Sequence, residues 1–307
     1  MIHDASLTHT TAGRARGYLL AFIGTGIWST TGPMIAFLLA SSSLAPLVLA
    51  SWRDLLAALI LGLVLAWRAP YRLGLARRHW PFILAYGLAL AALNAAWTMS
   101  VARNGAAVST VLVYTSPAFV ALASRWLFGE PLNRVVGLAM LLSLVGVTLV
   151  AGLYDAALLG RDPFGLLVGI GSGGLFAVYS VFGKASARRG LHATTVMLYT
   201  FAVAGVLLWL VQGVAQGTTG LPAIPPATWL GLLVLAGGPT LGGYGLYTAS
   251  LAYLPGATAS LITTLEPALT ALLAWGLLGE TLTPVQLLGG ALIVSGVMAL
   301  SLGNKTA

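Results

Sequence analysis

No cysteine occurs among the 307 residues, so disulfides, thiolate-bound zinc and thiol catalysis are excluded and the redox compartment is left open. Charge is almost as scarce. Only 7% of residues are charged and seven are acidic, where a soluble domain carries roughly 25% charged residues. Histidine is confined to His3, His9, His79 and His192, all in expected tail or loop positions, so no apolar segment offers a histidine-based metal site or a Ser-His pair. There is no P-loop, and no gap between apolar runs could hold a soluble domain, which removes an ATP-driven pump. What fills the chain is 58% hydrophobic residues at a mean hydropathy of +0.94. This is the composition of an integral membrane protein.

The net charge of +8 is dispersed among short loops rather than clustered, which suits a membrane-orientation signal better than a nucleic-acid surface. A polar stretch at 1–13 precedes an apolar run at 17–40. That run is roughly twice the length of a signal-peptide core and lacks a small-residue cleavage site, so it is expected to remain as the first span. A span needs about 20 apolar residues. Ten are expected, near 17–39, 45–66, 80–100, 105–127, 133–153, 163–184, 191–213, 228–249, 256–278 and 284–302. With the N-terminus in the cytoplasm, twelve of the 15 Lys and Arg fall inside, only Arg103 and Arg161 outside, and Arg53 within a span. That asymmetry supports ten spans with both termini cytoplasmic.

The chain is also a tandem. Offsetting it by 150 residues pairs Ala107 with Ala257, Pro117-Ala118 with Pro267-Ala268, Gly129-Glu130 with Gly279-Glu280, and Gly146-Val147 with Gly296-Val297, without a gap. A proline, a Gly-Glu pair and a glycine kept in register mark a duplication. The halves are expected at 17–153 and 163–302, joined by a linker at 154–162 and flanked by cytoplasmic tails at 1–16 and 303–307. Five spans is an odd number, so the second half enters the membrane from the opposite side. Glu130 then lies at the cytoplasmic face and Glu280 at the outer face. Inverted repeats mark secondary transporters.

Several of these residues together resemble a known family. Trp28-Ser29, Trp52-Arg53, the proline of span four, Gly129-Glu130 and Gly146 resemble the EamA half-domain of the drug/metabolite transporter superfamily. Leu265-Glu266-Pro267, Gly279-Glu280-Thr281 and Gly296 are similar to that family's second half, and the resemblance covers nearly the whole chain. It implies an all-α membrane fold of ten helices in two inverted five-helix repeats, in a bacterial inner membrane. Within the superfamily the chain is most similar to YddG-type exporters of aromatic amino acids and related amphiphilic metabolites. That likeness rests on length, span layout and Tyr114 three residues before Pro117; the second half has Thr264 in its place.

Pro117 and Pro267 lie mid-span and are expected to kink spans four and nine, shaping or hinging a pathway or simply packing. Glu266 is the one acidic side chain deep in the second half, and a carboxylate at membrane centre costs about 2.5 kcal/mol or more unless paired, hydrated or protonated. It is expected to read a substrate amino group or carry a coupling proton, or else to be a carboxyl hydrogen-bonded to Thr263 or a neighbouring helix. Arg53 and Asp54 are adjacent, and side chains at i and i+1 point about 100° apart, so each is expected to seek another helix instead of pairing. Arg53 could clamp a carboxylate, though a structural or gating role for the two is favoured. Tyr86, Leu90, Asn94 and Trp97 form one stripe of span three. Trp28, which aligns with Phe176 when Gly26 is set on Gly174, joins Phe176, Tyr179, Tyr244 and Tyr247 as candidates to bind a flat apolar ring; the same spacing also suits packing.

Gly165, Gly169 and Gly173, and likewise Gly238 and Gly242, have the spacing that lets helices approach closely. Gly169 to Gly174 matches G-x-G-x-x-G, but no strand precedes it and it lies within a span, so nucleotide binding is rejected. Gly129-Glu130 and Gly279-Glu280 are expected to cap the helix junctions, with gating as a secondary reading. The expected function is a secondary transporter, monomeric and without cofactor, that exports small amphipathic metabolites. Aromatic or hydrophobic amino acids are the favoured substrates, and proton coupling and facilitated diffusion both fit. Another metabolite or drug class is the alternative, and a channel or an intramembrane enzyme is the remote one.

Overall fold

An apolar run in a bilayer has to satisfy its own backbone, and the helix does so within one segment. A computed structural model describes residues 11–42, 44–104, 106–130, 132–150, 152, 162–216, 224–269, 272 and 283–303. Among these residues there is helix and turn but no strand. Seven stretches are long and apolar enough to cross a membrane: Gly13–Ser41, Pro46–Arg68, Arg77–Asn104, Val108–Phe128, Pro163–Arg188, Ala193–Val214 and Pro226–Ser250. They are spans one to four and six to eight. Spans five and ten are the shorter apolar helices Arg134–Val150 and Pro284–Ala299. Span nine begins as Gly256–Thr263, and much of its second part lies outside the described residues, as do Gly279, Glu280 and Thr281.

The core is largely apolar, as in a soluble protein, but so is the exterior. Val214, Trp126 and Trp67 are almost fully exposed, whereas Arg53, Asp54, Asn94 and Gln212 are buried. An apolar exterior with the charged side chains withdrawn from it is what a hydrocarbon solvent selects.

Helix pairing shows the inverted duplication directly. Span two packs on seven, four on nine and five on ten. Three packs against six as eight does against one, and four against six as nine does against one. Each pairing becomes itself or its counterpart when the halves are exchanged. The symmetry reaches single atoms where spans five and ten cross. A Cβ on Gly146 would lie 2.5 Å from the carbonyl oxygen of Gly289, and one on Gly296 would lie 2.9 Å from that of Ala139. A shift of 150 residues converts one contact into the other.

Four spans are broken or distorted, more sharply than a kink. Span four unwinds at Tyr114–Thr115 between Ala106–Val113 and Ser116–Phe128, and span nine does so at Thr264–Leu265. Each break lies just before its proline, which cannot donate to the carbonyl four residues back. Hydroxyls beside the breaks bond the preceding turn: Thr115 Oγ1 donates to the Leu112 carbonyl at 2.8 Å, Thr263 to Ser260 at 2.7 Å and Thr264 to Leu261 at 2.6 Å. Span one breaks likewise at Ser29–Thr30, before Pro33. Span eight widens to a π-helix over Ala236–Gly243 around Pro239.

The glycines of span six behave as expected, since a Cβ at Gly165, Gly169 or Gly173 would meet Asn104, Leu112 or Thr115 within about 2.5 Å. In span eight the expectation holds for one position only. Gly242 lies against Ile27, but a Cβ at Gly238 would meet nothing within 4 Å, because the π-turn rotates that position away from its neighbours.

The two ends of the bundle are tied differently. At the end formed by loops five–six, Asp162 caps span six through the Phe164 amide at 3.0 Å and pairs with Arg103; the Arg103 hydrogen bond holds its carboxyl below the ordinary range. At the opposite end Glu130 pairs with Lys184 and accepts from the Gly256 amide at 3.0 Å. Glu130 therefore caps a helix of the other half, not the helix that follows it, because its own span five starts four residues further on while span nine starts within reach. Lys184 also donates to the Leu254 carbonyl at 3.2 Å. Replacing Lys184 with Met leaves a largely buried carboxylate without its cation and is expected to destabilise the protein by about 3 kcal/mol, read as a lower melting temperature by intrinsic tryptophan fluorescence.

Candidate functional site

The breaks in spans one, four and nine face one another across the seam between the halves, and the cavity lies there. It offers about 70 Å³, several times the ~10–15 Å³ that one water molecule requires. One wall is aromatic: Trp28, Trp97, Phe176 and Tyr244. Trp28 stands edge-on to Tyr244 at 4.8 Å and to Phe176 at 6.0 Å, which fixes the rings in a geometry their quadrupoles favour. The polar side holds Arg53, Tyr114 and Glu266. Tyr114 donates its hydroxyl proton to Glu266 Oε2 at 2.5 Å. Thr263 does not bond Glu266; its hydroxyl is committed to the backbone at the break.

Unwinding gives these side chains their positions. Tyr114 sits in the turn of span four and Glu266 directly follows the turn of span nine, and both line the cavity. Pro117 and Pro267 adjoin the lining residues Ser116 and Glu266 and set the breaks instead of facing the cavity.

Four of the aromatic and amide candidates belong to a layer behind the cavity instead of its lining. Tyr86, Tyr179 and Tyr247 are buried and interlocked: Tyr86 lies 5.0 Å from Tyr179, Tyr179 bonds Thr248 at 2.8 Å, and Tyr247 bonds Ser180 at 2.6 Å. Asn94 is also set back, where its Nδ2 donates to Asp54 Oδ2 at 2.6 Å and its Oδ1 accepts from Tyr244 at 3.1 Å. Asn94 and Tyr244 are exactly one repeat apart in sequence, so this bond marks the pseudo-two-fold axis. Helical spacing identifies a shared face; it does not say how deep along that face the cavity reaches.

Arg53 and Asp54 correct the expectation more directly. They pair with each other, Arg53 Nε to Asp54 Oδ1 at 3.2 Å. The 100° rule concerns Cβ directions, and a four-atom arginine stem folds back across that angle.

Thr31, Leu93, Thr110, Val113 and Ser116, not singled out from sequence, also line the cavity, as does Thr263, expected only as a partner of Glu266. For two pairs the signal was available. Ser116 is the repeat counterpart of Glu266, and Val113 that of Thr263.

Comparison with known proteins follows the same lines. The EamA-like transporter family matches at residues 15–152 and again at 163–302. The chain is 26% identical over 296 residues to YwfM of Bacillus subtilis (strain 168), named an uncharacterized transporter, covering 92% of this chain and 93% of that one. It is 30% identical over 249 residues to RhtA of Escherichia coli (strain K12), named a threonine/homoserine exporter, covering 78% of this chain and 77% of the relative. A solved crystal structure shares the fold at a TM-score of 0.76 and 20% identity, covering 94% of this chain and 97% of the other.

Proposed function

Since this chain belongs to the EamA-like transporter family, and is a multi-pass membrane transporter, we propose that it exports small amphipathic amino acids by alternating access at the cavity between its two halves. The observation that carries this reading is the lining itself. One pocket at the seam of two inverted repeats holds a guanidinium, a carboxyl and an aromatic wall. An amino acid carries the complement of the first two and, when its side chain is apolar, of the third.

RhtA, named for threonine and homoserine, widens the substrate reading beyond aromatic side chains, and its name supports the outward direction. Inversion supports alternating access, because two halves related by an in-plane axis have inward-open and outward-open forms of similar energy. The division at 17–153 and 163–302 is supported by the two family matches. Positive charge in the loops carrying Arg72, Arg77, Arg78, Arg188 and Arg189 supports placing that face, and with it both termini, in the cytoplasm of a bacterial inner-membrane protein. One chain already holds both halves, which supports a monomer as the working unit.

The test is counterflow in proteoliposomes containing only this protein, using tritiated phenylalanine, tryptophan, threonine and homoserine, with and without a pH gradient. Saturable exchange of at least one is expected. If none exchanges, or uptake rises linearly with concentration, the reading is wrong. A rate that follows the imposed gradient identifies proton coupling, and one indifferent to it identifies facilitated diffusion.

A further inference from the structure

We propose that Arg53 anchors the substrate's carboxylate, and that Asp54, Asn94 and Tyr244 are positioning residues that hold its guanidinium open to the cavity. This deepens the amino-acid reading and rests on it. Arg53 is 1% exposed yet lines the cavity. Its Nε is occupied by Asp54, while the buried Nη2 has no hydrogen-bond partner in the protein. A buried charged donor left unmade is costly. An incoming carboxylate would satisfy it, and the planar guanidinium fork matches a carboxylate's two oxygens.

The supporting chain explains why that edge stays open. Asp54 uses Oδ1 for Arg53 and Oδ2 for Asn94, whose amide oxygen is in turn held by Tyr244. With both carboxylate oxygens engaged, Asp54 grips Nε and leaves Nη2, on a side chain that lines the cavity, without a partner. Tyr244 ends the chain and itself lines the cavity. Because Tyr244 belongs to the second half and Asn94 to the first, the bond joining them spans the seam, and a rearrangement of the halves changes the support under Arg53. Glu266 lines the same cavity and supplies the opposite charge. The substrate class that follows is the free zwitterion. Amides, esters and decarboxylated amines lack the group that Arg53 requires.

The experiment is competition in proteoliposomes of the full chain against tritiated L-threonine and L-phenylalanine, using each unlabelled amino acid and its amide. The amide is expected to compete about 30-fold less well or worse. Arg53→Lys keeps the charge but loses the fork, and should narrow the acid-to-amide ratio below about threefold. Tyr244→Phe keeps the ring and removes the hydroxyl that holds Asn94, and should narrow the acid-to-amide ratio partway, a selectivity change that a merely structural defect would not produce. If Arg53→Lys cannot be recovered folded, the acid and amide comparison on the unaltered protein decides. Equal competition by amide and acid overturns the carboxylate anchor while leaving amino-acid transport standing. A full ratio in Arg53→Lys overturns Arg53 as the anchor. Failure of the unaltered protein to move either amino acid takes down both this proposal and the reading beneath it.

Discussion

Glu266→Gln is expected to lower the transport rate between about tenfold and about 100-fold, the span corresponding to loss of one hydrogen-bonded charge. Glutamine keeps the volume and leaves Tyr114 an oxygen to donate to, so packing at the break of span nine is preserved. What it removes is the capacity to carry charge or a proton in the cavity wall. Initial rates in proteoliposomes across a pH series separate the two roles. If Glu266 carries a coupling proton, the variant loses the pH dependence of the original along with the rate. If it reads only the substrate's ammonium group, the rate falls and the pH profile keeps its shape. Unchanged rate and unchanged profile would reduce Glu266 to a packing residue and remove the second charge from the site. Tyr114→Phe, which removes the donor at 2.5 Å but leaves the carboxyl, is expected to cost only a few-fold.

The residues that made this site legible in the sequence were the improbable ones. Glu266 stood out because an acid among apolar residues must have a reason to be there, and Pro117 and Pro267 because a 150-residue offset brought them into register. The duplication shows in the prolines and Gly-Glu pairs kept in register, the inversion in five spans per half, and the carboxyl of the cavity in Glu266. Composition was silent where an outcome depends on depth or reach. Tyr86, Asn94 and Trp97 share a stripe, yet only Trp97 touches the cavity, and nothing in a 3.6-residue period distinguishes the lining from the layer behind it. Arg53 reached Asp54 because a long side chain is not bound by its Cβ direction. Pro33 and Pro239 were as visible as Pro117. The break at Ser29–Thr30 and the π-turn of span eight went unread because their repeat counterparts in spans six and three are continuous helix, and a feature present in one copy gains nothing from the offset. The narrower resemblance to aromatic amino acid exporters rested on Tyr114 alone among side chains, and Tyr114 proves to be a partner of Glu266 as much as a wall for a ring.

Gly146→Ala is expected to destabilise the protein by prising spans five and ten apart. Alanine in place of glycine within a helix ordinarily stabilises by about 0.5–1 kcal/mol. Here the new methyl would stand 2.5 Å from the Gly289 carbonyl oxygen, 2.7 Å from Ile293 Cγ1 and 3.0 Å from the Ile293 amide nitrogen. Two of those three atoms are backbone, so no rotamer change relieves the clash and the helices of spans five and ten must separate. Separation also loosens the symmetry-related contact of Gly296 with Ala139, since both lie on the same pair of helices. Overpacking costs about 1–3 kcal/mol even where side chains can yield, so the net loss should reach about 2 kcal/mol or more, seen as a drop of several degrees in melting temperature by tryptophan fluorescence. Gly137 lies on the same helix with nothing within 4 Å of a prospective Cβ, and Gly137→Ala is expected to hold or raise the melting temperature. Opposite signs from two identical substitutions nine residues apart would place the effect in the seam between the halves, and a Gly146→Ala protein as stable as the original would show that spans five and ten do not approach as closely as the pseudo-two-fold requires.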